Sequence, residues 1–394
     1  MIPEGWKEQK LGEIFNIKSG IGFKYAEYVD KGIPLIKIDN VSHGYIKWEN
    51  ITYLPEIYLV QNADLVLKKG DILLALNRPI TQGKLKIARI QSEDFPSILY
   101  QRVGKIYPIT DKTNQDYFYY ALEPLVFNFV NRNSIGSDQP FISTTELKKI
   151  NLLTPPLPEQ KKIAQILSTW DKAITTTEQL LANSQQHKKA LMQQLLTGKK
   201  RLLDDNGVRF SGEWKRVELG QLLDYKQPTP YLVKSTDYSD DFATPVLTAG
   251  KTFVLGYTDE TEGIYDFGLP IIIFDDFTTA CKFVDFPFKA KSSAMKILTA
   301  KPDVNIKYVF EAMQMLDFII GGHQRHWISI FSNLVISLPS KEEQQKIAAV
   351  LSAADAEITV LEQKITHLKD EKKALMQQLL TGKKRVKVDD KEIV

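Results

Sequence analysis

Side chains that could carry catalysis are sparse in this 394-residue chain, and their spacing does not assemble a site. The five histidines are His43, His187, His323, His326 and His367. His323 and His326 form an HxxH pair without a nearby Glu or Cys, so a zinc ligand set is not expected. Cys281 is the single cysteine. It excludes a disulfide framework within the chain and a cysteine metal cage, and it fits a reducing compartment. No GxxxxGK(S/T) phosphate loop and no GxGxxG is present. Thr154-Pro155-Pro156-Leu157 is the nearest run to an amino-methyltransferase tetrapeptide, but it lacks the Asn or Asp that would bind an amino group and reads as a proline-rich linker. Pro302-Asp303 opens a nuclease-like pattern that no (D/E)xK triplet completes before the next helix. The chain is expected to be a reader or scaffold, not a catalyst.

The elements that would position such a reader are easier to see, because the chain repeats itself. Residues 188–201 and 372–385 both read KKALMQQLLTGKKR, a spacing of 184. The match runs back without a gap: Glu159 to Ala164 stands against Glu343 to Ala348, and Asp171 against Asp355. A weaker repeat sets Trp6 and Leu11-Gly12 against Trp214 and Leu219-Gly220, at a spacing of 208, so the first intervening segment is 24 residues longer than the second. The order is therefore variable domain, helix, variable domain, helix. Apolar steps of four and three run through Ile347, Leu351, Ala354, Ile358, Leu361, Ile365, Leu368, Lys372, Leu375 and Leu379, a heptad seam. The first helix keeps the register from Ile163 to Leu195, with Thr177, Ser184 and Lys188 as polar seam positions. Pro158 and Pro339 precede the helices, and Gly198 and Gly382 follow them, as starts and stops prefer. Each helix spans about 37 residues, or about 55 Å. Two such seams are satisfied most economically by an antiparallel coiled coil of the two helices. The Lys-Lys-Arg ends read either as solvated helix termini or as contacts for a partner protein or phosphate.

The variable segments read as mixed α/β. Strands are expected at Ile33 to Ile38, Asp71 to Leu76, Leu85 to Ile90, Pro270 to Phe274 and Ala294 to Leu298, and helices over 116–131 and 303–318. The expected domains are 1–158, a helical region 159–200, 201–342, and a helical region 343–394. Trp6 and Trp214 are expected as packing anchors. A hydrophobic content of 43% and a charged content of 25% are ordinary for a globular protein. The net charge of +3 permits nucleic-acid binding without arguing for it. No leader is visible in MIPEGWKEQK, and runs such as Leu269 to Phe274 are too short to span a bilayer, so a cytoplasmic protein without membrane contact is expected.

The paired blocks PLPEQKKIAQIL…KKALMQQLLTGKKRL and LPSKEEQQKIAAVL…KKALMQQLLTGKKRV resemble the two conserved helical regions of the specificity subunit (HsdS) of type I restriction–modification systems. Pro270 to Thr279, Gln324 to Ser329 and, more loosely, Gly136 to Ser143 look like recurring phrases of its target recognition domains. The resemblance covers essentially the whole chain. It implies two target recognition domains, each reading one half of a split, asymmetric site in double-stranded DNA, with the coiled coil as the ruler. It also implies two methyltransferase subunits on the helical repeats and two restriction subunits. S-adenosylmethionine, ATP and Mg2+ would belong to those partners. The alternative reading is a coiled-coil adaptor without DNA specificity.

Base readout needs polar side chains on loops near the groove. In the first domain the expected contacts are Lys18, Ser19, Lys24 and Tyr25, then Asn77, Arg78, Thr81, Gln82 and Lys84, then Gln101 and Arg102. In the second they are Lys226, Gln227, Thr229 and Tyr231, then Asp276, Thr278, Thr279 and Lys282, then Gln324, Arg325 and His326. Leu191, Leu195, Leu375 and Leu379 are expected at the partner-binding helical surface.

Overall fold

The computed structural model describes residues 2–91, 94, 96–133, 141–248, 250, 252–316 and 326–388. It divides into two compact units, residues 1–176 with 365–394, and residues 177–364. The division cuts through both long helices, so the helical regions expected as separate domains are shared out between the units.

The first unit is organised by a four-stranded antiparallel sheet: β1 (Phe15–Ser19), β2 (Ile72–Ala75), β3 (Ile87–Arg89) and β4 (Val103–Pro108), in the order β1-β4-β2-β3. β2 is buried along its whole length because both sheet faces are covered. Ile72 and Leu74 enter one core with Ile17 and Ile106, while Leu73 enters another with Val103 and Ala88. The first core also takes Tyr117, Phe118 and Leu122 of helix α1 (Gln115–Asn133). The second takes a small sheet of Ile33–Ile36, Thr52–Leu54 and Ile98–Leu99. The chain then enters helix α2 (Leu157–Leu195), 39 residues long.

The second unit repeats the plan with β5 (Leu223–Lys226), β6 (Ile271–Asp275), β7 (Cys281–Val284) and β8 (Met295–Ala300), in the order β5-β8-β6-β7. Ile272 and Phe274 face one core and Ile271 and Ile273 the other. The first of these cores includes Tyr308, Val309 and Ala312 of helix α3 (Ile306–Met313), whose start is capped by the Asn305 side chain. Helix α4 (Lys341–Leu379) follows, again 39 residues long.

Each domain's entry is tied to its exit. Lys7–Lys10 pairs antiparallel with Asn151–Thr154, and Lys215–Glu218 with Val335–Leu338. Every seam position from Ile163 to Leu195 and from Ile347 to Leu379 is buried or half-buried. In the first unit Ile163 and Leu167 share a core with Leu375 and Leu379; in the second, Leu191 and Leu195 share one with Ile347 and Leu351. The start of each long helix thus packs against the end of the other, which makes the pairing antiparallel. Polar seam positions have internal partners. The Ser184 hydroxyl donates to Glu357 at 2.9 Å, Lys188 reaches Asp355 at 2.6 Å, and Lys372 reaches Asp171 at 2.5 Å.

The ends of the helices are clasped. Arg201 makes two 2.6 Å bonds to Glu343, and the Trp214 indole donates to the same carboxylate at 3.1 Å. In the other unit Arg385 and the Trp6 indole meet Glu159. Both tryptophans are packing anchors. Gly198 and Gly382, with φ of +71° and +69°, turn the chain out of its helix as expected.

Candidate nucleic-acid interface

The candidate readers of the first unit gather at one end of its sheet. β1 ends at Ser19 and β2 at Ala75, and β4 begins at Val103, so antiparallel pairing puts the three termini side by side. Backbone bonds then lock the loops together. The Gly20 amide donates to Val103, Gln101 to Ile21, and Leu76 to Arg102. Ile142 donates to Leu76, which brings in the segment before Ser143, the cap of the short helix Thr144–Leu147. Beyond Arg78 the chain forms a hairpin, Ile80–Thr81 against Lys84–Leu85. Its two-residue loop, Gln82-Gly83, has φ of +52° and +70°, the sign a type I′ turn requires at both positions. Arg78 and Arg102 also sit at positive φ, +44° and +64°. Non-glycine residues held there mark loops whose shape is fixed by their surroundings.

Ser19, Lys24, Tyr25, Arg78, Thr81, Gln82, Lys84, Gln101 and Arg102 are exposed on this framework, Tyr25 by 88%. Asn77 is half-buried and bridges to Phe141. Lys18 is ion-paired with Asp64. One contributor escapes a sequence scan. His43 lies 3.0 Å from the Thr81 hydroxyl although it stands 38 residues away in the chain.

The second unit builds the corresponding end from β5, β6 and β8. Lys226, Gln227, Thr229, Thr278 and Lys282 are exposed, and Tyr231 is half-buried against Tyr265. The Gln227 side-chain oxygen Oε1 accepts from the Lys296 ammonium at 3.0 Å. Asp275 shapes the turn by accepting from the amides of Phe277 at 2.8 Å and Thr278 at 3.0 Å.

Three expected contacts have a different role. Asp276, Thr279 and His326 are 2%, 7% and 1% exposed. Asp276 accepts from the Trp327 amide at 3.0 Å and the Tyr225 hydroxyl at 3.1 Å, and His326 Nδ1 donates to the Asp276 carbonyl at 2.6 Å. They hold the loop from beneath, so they are not presented to a groove. Gln324, Arg325 and His323 lie outside the described residues, as do 136–140 of the first-domain phrase. The helical leucines are also corrected. Leu195 and Leu379 are core residues at 1% and 2% exposure, and Leu191 and Leu375 pack against the same cores, so this face is consumed within the chain.

Among the described residues no three His, Cys, Asp or Glu side chains gather as a metal site, and no helix is long and apolar enough to cross a membrane. Among the described residues the arrangement offers polar, loop-borne donors on two unlike surfaces.

Residues 3–183 and 211–370 match the sequence profile described as the type I restriction modification DNA specificity domain. The MjaVIII type I restriction enzyme specificity subunit of Methanocaldococcus jannaschii is 43% identical over 206 residues, 52% of this chain and 48% of that protein. The EcoR124I/EcoR124II specificity subunit of Escherichia coli is 52% identical over 36% of this chain and 35% of its own length. These alignments span about half or less of those two relatives. The MjaX specificity subunit of M. jannaschii is 27% identical over 98% of this chain and 95% of its own length. The crystal structure of a type I restriction–modification S subunit from M. genitalium superposes with a TM-score of 0.65 at 14% identity, covering 96% of both chains. A chain from a study of type I restriction–modification complex assembly and conformational transition gives 0.52 at 15% identity, covering 96% of this chain and 98% of that one. Both show a shared fold.

Proposed function

The chain belongs to the type I restriction–modification DNA specificity family, and from that premise we propose that it is the non-catalytic subunit that supplies DNA sequence specificity to such a complex. Each domain reads one half of a bipartite, asymmetric site in double-stranded DNA. The observation that carries this reading is the repetition of one framework with unlike loops. The same sheet end presents Arg78, Gln82 and Lys84 in one unit and Thr278 and Lys282 in the other. A shared framework with different donors is what two different half-sites require.

The helical repeats support docking of two identical methyltransferase subunits. Burial accounts for the identity of Leu195 and Leu379, but not for that of the exposed residues. Lys189, Ala190, Gln193, Gln194 and Thr197 are exposed, and so are their identical counterparts Lys373, Ala374, Gln377, Gln378 and Thr381. One turn earlier, equally exposed positions differ: Gln185 against Lys369, Gln186 against Asp370, His187 against Glu371. Identity on an exposed face points to a constraint outside the chain, and one partner bound twice supplies it. Two restriction subunits complete the assembly, and S-adenosylmethionine, ATP and Mg2+ are used by the partners.

The test is adenine-methylation mapping in cells expressing this chain with its methyltransferase. A split asymmetric motif, methylated once per half and lost without this chain, is expected. A confirmed complex without methylation would leave the adaptor reading in its place.

A further inference from the structure

The loop carrying His43 is built rather than loose. The Lys47 amide donates to the Asn40 carbonyl at 2.7 Å, and the Asn40 side chain donates back to Lys47 at 3.0 Å. Ser42 donates to Tyr45 at 3.0 Å, and Gly44 donates to Ile87 of β3 at 2.8 Å. Asn40 and Ser42 are 2% and 3% exposed, so the loop is anchored from below while His43 remains half-exposed against the reading hairpin.

The charge around this histidine is one-sided. The charged groups acting on it are Lys84 of the hairpin, Lys47 of its own loop and Lys86 beneath, and all three are cations. The carboxylates nearby face those lysines: Asp39 acts on Lys86, and Glu123 of α1 acts on Lys84. Tyr119 of α1 lies against Gly44 and is uncharged at neutral pH. Lys86 is 8% exposed and donates to the Ile38 carbonyl at 2.6 Å, so it adds field without reaching solvent. Partial burial and then the lysines push the imidazole below its ordinary value, against the pull of the Thr81 bond, which keeps His43 neutral near pH 7.

We propose that His43, with Lys47 and Lys84, binds a phosphate of the DNA backbone beside the Gln82-Gly83 turn and takes up a proton as it does so. The proposal rests on the reading that this domain binds DNA, and it adds a contact that positions the hairpin without reading sequence. A phosphate supplies the negative charge that none of the groups acting on His43 provides. It lifts the penalty on the imidazolium, so the proton enters with the phosphate. By linkage, binding must tighten as pH falls, by at most about tenfold per pH unit for one proton.

The assembled complex is titrated with duplex carrying its methylated motif and with scrambled duplex, from pH 6 to 8 and over a range of salt. The wild type is expected to bind both DNAs several-fold tighter at pH 6 than at pH 7.5. His43→Gln, which keeps a donor for Thr81 but cannot gain a proton, is expected to flatten that dependence on both DNAs equally. Lys47→Gln is expected to reduce the slope of log affinity against log salt by about one, as loss of one phosphate contact does. Calorimetry of the wild type in two buffers of unlike ionisation enthalpy reads the proton directly, independent of how any variant folds. Unchanged pH and salt dependence in the variants, or no proton uptake by the wild type, overturns the inference while leaving DNA reading intact. A wild-type complex without preference for the motif overturns the DNA reading itself, and this inference with it.

Discussion

Arg78 and Asp276 both follow a buried strand, β2 and β6, at the same end of the two sheets, yet they should respond oppositely to truncation. Arg78 is exposed and makes no ion pair among the described residues. Arg78→Ala should leave the melting temperature nearly unchanged and weaken recognition of one half-site by about 1–3 kcal/mol, if the side chain makes a bidentate base contact. Binding to each half-site, measured with the other half scrambled, checks this. Asp276→Ala strips the Trp327 amide and the Tyr225 hydroxyl of their acceptor and leaves Lys296, 3.9 Å away and 5% exposed, without that carboxylate. A loss of about 2–4 kcal/mol in the second unit is expected, read by denaturant unfolding. The sequence could not separate the two cases. Both are polar residues after an apolar strand, and what buries Asp276 is a partner segment fifty residues further along, a pairing that no local pattern encodes. His43 was missed for the same reason, because its meeting with Thr81 exists only once β3 has formed.

Elements with a period were legible, and elements defined by contact were not. The seam from Ile347 to Leu379 needed only steps of four and three, and the buried runs at β2 and β6 needed only continuous apolar residues. The clasp at the helix ends was not visible, because a repeated Arg gives no hint of which Glu it meets. Among the described residues, Arg201→Ala leaves the 1%-exposed Glu343 with the Trp214 indole as its one side-chain donor, and should cost the second unit about 3 kcal/mol in denaturant unfolding. A pH signature belongs to the loop at Glu260. Burial alone would raise this carboxyl. The Ser235 amide, the Lys289 ammonium and the Lys234 amide instead hold it at about 2. Because the folded value lies below the ordinary 4.5, the stabilisation is complete above pH 4.5 and disappears as pH falls toward 2. Glu260→Gln should therefore lower the second unit's unfolding midpoint at pH 7, and the difference should shrink below pH 4.5 and close only as pH falls through about 2. A constant difference across that range would assign its effect to packing.

Across the whole molecule one sequence repeat serves two different domains, and the divergence is measurable where repeat meets domain. Lys188 and Lys372 are equivalent, as are Asp355 and Asp171, each pair 184 residues apart. In the first unit Lys372 meets Asp171 at 2.5 Å, and the Tyr120 hydroxyl donates to the same carboxylate at 2.6 Å. In the second, Lys188 meets Asp355 at 2.6 Å and also Glu311 at 3.0 Å, a carboxylate with no exposure, and Lys307 bonds both acids at 2.7 Å. Identical repeat residues thus stabilise a neutral tyrosine in one unit and a buried glutamate in the other. Lys188→Met should remove half of the cationic support for Glu311 and destabilise the second unit by about 2–4 kcal/mol. Lys372→Met leaves Asp171, 41% exposed, with its tyrosine and water, and should cost the first unit less than about 1 kcal/mol. Unfolding followed by hydrogen exchange, with peptides from β2 and β6 reporting separately, resolves the two units. Equal losses would mean that the helical repeat, not the domain it meets, sets the energetics. The expected asymmetry would show that a recognition domain is matched to its scaffold through the residue it places opposite this lysine, Tyr120 or Glu311.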